Sequence, residues 1–125
     1  MYVNIIYSDY LKGVAMHAAK AIDLNSMHKA ASSACALMKA LANPDRLMLL
    51  CQLSRQETSV GELEESLDIR QPTLSQQLTV LREESLVETR RDGRHVYYRV
   101  SSPQALALLK VLYAQFCGPR KGESR

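Results

Sequence analysis

Residues 71–91 read QPTLSQQLTVLREESLVETRR. Leucines at 74, 78 and 81 recur at helical spacing and call for burial, yet Gln71, Thr73, Ser75, Gln76 and Gln77 stand among them, and Arg90, Arg91 and Arg94 follow. Amides and hydroxyls hydrogen-bond base edges, while arginines hold phosphates. A bidentate glutamine–adenine contact is worth about 1–3 kcal/mol of discrimination, so the set reads as a surface for double-stranded DNA. The rival reading is a solvated helix face followed by a solvated charge run. A second reactive set is the three cysteines at 35, 51 and 117, none at CxC or CxxC spacing. They read as thiols and not as a disulfide scaffold. On residues alone, Cys51 lies four residues after Leu47 on an apolar stripe and reads as a small buried hydrophobe. Cys117, beside Gly118, reads as an incidental thiol near a helix end, its reactivity governed by its pKa and exposure. Cys35 sits about 80° from the centre of its helix's apolar face, at 3.6 residues per turn, and reads as packing.

Other chemistries find little support. The histidines at 17, 28 and 95 form no ligand spacing, and a transition-metal site needs several converging soft or imidazole donors. No organised Ser/His/Asp set and no glycine-rich phosphate loop is present, so neither an enzyme nor a bound cofactor is expected. No apolar run reaches membrane-spanning length, and the first residues lack a signal peptide's basic start and long apolar core; the expectation is a cytoplasmic protein with no membrane partner. With 16 Lys+Arg against 13 Asp+Glu and a net charge of +3, affinity for nucleic acid must come from local charge placement.

The 125 residues are expected to form one domain over 26–117, flanked by an N-terminal arm or extension (1–25) and a polar C-terminal tail (118–125). Ser26 to Leu41 repeats apolar residues at helical spacing. Asn43-Pro44-Asp45 restarts a helix with an N-cap, a first-position proline and an acid in the first turn, and RLMLLCQL makes that helix central. Thr58 or Ser59 caps the next helix, with Glu62 completing a capping box. After the turn at 68–71, Pro72 opens the polar-faced helix, and the two together make a helix-turn-helix. LVETRR and HVYYRV alternate around Asp92-Gly93 as a β-hairpin, and Ser102-Pro103 starts a last apolar-faced helix that Gly118-Pro119 ends. The fold class is mainly α with a small β-hairpin: a winged helix-turn-helix.

This layout, with LANPDRLMLLCQL, SVGELEESLDIRQPTLSQQLTVLREESLVETRR and the YYRV strand, resembles the ArsR/SmtB family of bacterial repressors over about residues 30–117. The family's metal sensors place cysteines in the first helix of the helix-turn-helix, or acids and histidines along the last helix; SVGELEESL and PQALALLKVLYAQFC offer neither. Cys51 and Cys117 instead resemble the dithiol of the sulfide- and persulfide-responsive, BigR/SqrR-like subgroup. That resemblance implies a redox switch in which persulfide or polysulfide links the two thiols and DNA is released. It further implies an association with sulfide detoxification, and no metal. A homodimer on a palindromic operator is expected because the apolar faces of the Ser26–Leu41 and Pro103–Cys117 helices exceed what a core of this size needs. Departures are Cys35, the longer N-terminus, Arg70, and Gln77 where the family often has histidine. A metal-responsive repressor and a constitutive winged-helix module are the alternatives.

Overall fold

The computed structural model describes residues 23–118. Most of the expected arm, and the expected tail beyond Gly118, lie outside the described residues. The elements run α1 (Leu24–Leu41), α2 (Pro44–Arg55), β1 (Thr58–Ser59), α3 (Val60–Leu67), α4 (Thr73–Glu83), β2 (Val87–Asp92), β3 (His95–Val100) and α5 (Pro103–Phe116). Internal contacts divide the chain between Ala34 and Cys35, inside α1. The first unit contributes the N-terminal part of α1 to the described residues, and the second holds the core and every other element.

Burial along α1 is confined to its end, where Leu37 is half-buried and Ala40 and Leu41 are buried. Cys35, expected to pack, is therefore exposed. α2 starts as its sequence dictates: Asn43 Oδ1 accepts the Arg46 backbone N–H at 3.0 Å and Pro44 stands in the first turn. Leu49, Leu50 and Leu53 of α2 are buried together with Leu63 of α3 and Leu74, Leu78 and Leu81 of α4. Of the two candidate caps for α3, Ser59 does the capping. Its Oγ accepts the Glu62 N–H at 3.3 Å, while the Glu62 carboxylate accepts the Ser59 N–H at 3.3 Å, so two otherwise unpaired donors are satisfied reciprocally. Between α3 and α4, Asp68 takes a left-handed conformation (φ 54°) and Ile69 turns inward to join the core.

The expected hairpin is present, paired from Val87↔Val100 to Asp92↔His95. Its tip differs from expectation by one residue. Asp92 still pairs, so the two turn residues are Gly93 and Arg94, and Gly93 adopts φ +62°, which costs glycine nothing. A third strand, unread in the sequence, pairs Thr58↔Tyr98 and Ser59↔Tyr97 and gives the sheet the order β1-β3-β2. α5 opens with Ser102 accepting the Ala105 N–H at 3.1 Å and closes with Cys117 and Gly118 both donating N–H to the Tyr113 carbonyl at 2.8 Å. A Cβ on Gly118 would lie 2.8 Å from the Ala114 carbonyl oxygen, so the tight end of α5 needs glycine. Only one side of α5 is covered, by way of Ala105 and Leu109; Val111, Tyr113 and Phe116 stay exposed, Phe116 at 78%.

Replacing Leu49, which has no exposed surface, with Ala should cost about 2–5 kcal/mol in denaturant unfolding. Glu65→Ala on the exposed side of α3 should stay within about 0.5 kcal/mol of the parent.

Candidate nucleic-acid interface and thiol pair

The polar residues of α4 do not all have free hydrogen-bonding groups. Gln71, just before the helix, accepts at Oε1 from the Ser75 N–H (3.1 Å) and the Ser75 hydroxyl (2.5 Å), supplying the first turn with a side-chain cap. The Thr79 hydroxyl donates back to the Ser75 carbonyl at 2.8 Å. Thr73 is half-buried at the start of the helix. Gln77 is half-buried on its flank, where its Oε1 accepts from Arg46 of α2 at 3.0 Å. Gln76 is exposed and, among the described residues, has no intrachain side-chain hydrogen bond. It is thus the amide with both its donor and acceptor available to a base edge.

The three arginines of the wing differ in the same way. Side chains alternate across a strand, so Glu88, Arg90 and Asp92 share the face that carries His95, Tyr97 and Arg99 on β3. That face is largely charge-matched: Arg90 pairs with Glu57 at 2.6 Å and lies 4.5 Å from the Tyr97 ring centroid, and Arg99 pairs with Glu88. Arg91 belongs to the opposite face, across from Val96, and Arg94 sits in the turn. Both are exposed and, among the described residues, have no ion-pair partner. The unpaired positive charge of the wing is therefore concentrated toward its turn end. The Arg90–Glu57 pair was not legible in the sequence, since 33 residues separate its members.

Two of the three thiols lie on helices that pack against each other, α2 and α5. Cys51 is half-buried on α2 against the core, and Cys117 is exposed at the end of α5. Burial raises the Cys51 pKa above the ordinary thiol value, the nearby charge of Cys117 raises it further, and Arg55 pulls it back down. The Arg55 guanidinium also lies 5.5 Å from the Tyr113 ring centroid. Arg55 is one turn after Cys51 and Tyr113 one turn before Cys117, so the cation–π contact between α2 and α5 lies one helical turn from each thiol. Among the described residues no group of three or more His, Cys, Asp or Glu side chains is placed to hold a metal ion, and no helix is long and apolar enough to cross a membrane.

The profile of the arsR family of bacterial regulatory proteins matches residues 43–89, from the cap of α2 into β2. The Biofilm growth-associated repressor of Agrobacterium fabrum is 53% identical over 100 residues, covering 80% of this chain and 86% of that one. This chain belongs to the arsR family. Among other arsR-family relatives, the Transcriptional activator HlyU of Vibrio cholerae is 41% identical, covering 86% of this chain and 94% of that one. The crystal structure of the transcriptional repressor BigR from Xylella fastidiosa superposes with a TM-score of 0.70 at 48% identity, covering 77% of this chain and 98% of that one. The architecture is that of a winged helix-turn-helix regulator, with α3 and α4 as the helix-turn-helix and β2–β3 as the wing.

Loss of a phosphate contact lowers the slope of log affinity against log salt by about 0.9. Arg91→Ala and Arg94→Ala should each show that loss in fluorescence anisotropy titrations, whereas Arg90→Ala, whose charge is already matched by Glu57, should change the slope least of the three.

Proposed function

We propose that the chain is a homodimeric transcriptional repressor whose α4 helices and wings bind a palindromic operator, and which lets go when persulfide or polysulfide joins Cys51 to Cys117. The observation that carries the switch is the packing of α2, which bears Cys51, against α5, which ends at Cys117. Cys117 is the accessible partner, so it is the first to meet the inducer. With a polysulfide, the inner sulfurs become the bridge and the two terminal sulfurs leave as hydrogen sulfide with the two thiol protons. With a persulfide, Cys117 takes the outer sulfur and releases the carrier thiol, and Cys51 then displaces hydrogen sulfide to close a disulfide. The thiols are thereby oxidised and the inducer reduced. A direct disulfide needs Cα atoms within roughly 7 Å; inserted sulfurs tolerate a wider gap.

Dimerisation is supported by the uncovered apolar residues of α5, which end at Phe116 beside Cys117. A sulfur bridge there draws the end of α5 toward α2 and repacks the surface through which the two copies meet. The two reading heads then lose the spacing that a palindrome requires. Known regulators among the relatives include both repressors and an activator; the repressor reading follows the BigR-like resemblance of the thiol pair. A bound metal as the signal is the competing reading within the same family.

Polysulfide should release DNA from the parent and from Cys35→Ser, with a Cys51–Cys117 link seen by mass spectrometry, while Cys51→Ser and Cys117→Ser should keep binding. Release of Cys51→Ser as readily as the parent would end this reading, and release by a divalent metal alone would favour the competitor. The thiol's pH response is a further check. Alkylation of Cys51 should accelerate as pH rises toward its raised pKa, with the midpoint moving down in Cys117→Ser and up in Arg55→Ala.

A further inference from the structure

Arg46 touches three partners on two other helices. Its Nε donates to the Ala40 carbonyl at 2.6 Å and its Nη2 to the Lys39 carbonyl at 3.0 Å, both in the last turn of α1. Its Nη1 donates to Gln77 Oε1 on α4 at 3.0 Å. The first two bonds go to carbonyls in the last turn of a helix, where intrahelical partners run out, and the Lys39 carbonyl also accepts the Ala42 N–H at 3.3 Å. The third has no such local explanation, since it joins residues 31 apart in sequence.

A guanidinium only donates, so it is the oxygen of Gln77 that must face it. A bidentate contact to adenine uses both the oxygen and the nitrogen of a glutamine amide, and here the oxygen is drawn toward the protein. At 3.6 residues per turn Gln77 lies about 70° from the centre of the Leu74–Leu78–Leu81 stripe, whereas Gln76 lies about 170° from it. We propose that Arg46 and Gln77 form a positioning pair, in which Arg46 fixes the roll of α4 against the end of α1 and Gln77 sets the helix's pose instead of reading bases. The proposal rests on α4 being the reading helix. Arg46 is suited to the task because its planar fork holds three acceptors at fixed angles, which a lysine ammonium on a flexible stem does not.

The test is selection from a random duplex library with the full-length chain in its thiol form, together with affinity for the enriched duplex and a thermal melt of each variant. Gln77→Met leaves both Arg46–carbonyl bonds in place and removes only the link to α4. It should weaken binding by roughly tenfold or more, the scale of a hydrogen bond to a charged group, with the same preferred bases. Gln77→Glu keeps an acceptor for Arg46 and should keep the parent's base preference; a base-reading residue would change preference, because a carboxylate favours cytosine's amino group. Arg46→Lys should bind as weakly as Gln77→Met, and adding Gln77→Met to it should weaken binding no further. Altered preferred bases in Gln77→Glu, or parent affinity in Gln77→Met, would overturn the proposal. A preference that survives Gln76→Met would instead remove α4 as the reading helix, and the positioning role with it.

Discussion

Leu49 and Leu50 are adjacent in sequence and both are sealed from solvent. Neighbouring side chains on a helix point about 100° apart, so α2 must be covered on more than one side. It is: α3, α4, α5 and β3 all pack against it. Four of the other elements are thus arranged around one short helix that also bears Cys51 and Arg46. Interiors packed at crystal-like density do not deform smoothly. A displacement of α2 would be shared by α4, the helix proposed to read DNA, and by the helix that ends at Cys117.

What could be read from the sequence was local. The Asn43 and Ser59 caps, the capping box with Glu62, the start of α5 at Ser102 and the alternation of the wing all depend on residues within a few positions of one another. The elements they specify were therefore legible. What escaped depends on partners far apart in the chain. β1 is only two residues long and exists because β3 pairs with it. Ile69 looks like a turn residue until the core is seen to need it. The Arg46–Gln77 and Arg90–Glu57 contacts span more than thirty residues and leave no periodic trace. The thiol pair is a different case, since only the family resemblance joined Cys51 to Cys117 in advance.

Charge is distributed economically for a chain with a net excess of only +3. Glu57 and Glu88 each meet an arginine on the outer face of the sheet, which leaves Arg91 and Arg94 as the wing's unmatched cations. Long-range attraction to a polyanion is weak under these conditions, and ions screen most of it beyond about 10 Å. If the wing binds DNA as proposed, close fit between its tip and a backbone phosphate would matter more than bulk field.

Ser59 occupies two elements at once. It is the last residue of β1, paired with Tyr97, and it is also the N-cap of α3. No linker separates sheet from helix there, so a tilt of the helix-turn-helix has no slack in which to be absorbed. It must either break the strand pairing or carry the wing along. The helix-turn-helix and the wing therefore behave as a single gripping tool with a welded joint. On the proposed reading, the DNA contacts of the two parts would engage and disengage together, an all-or-none grip instead of a graded one.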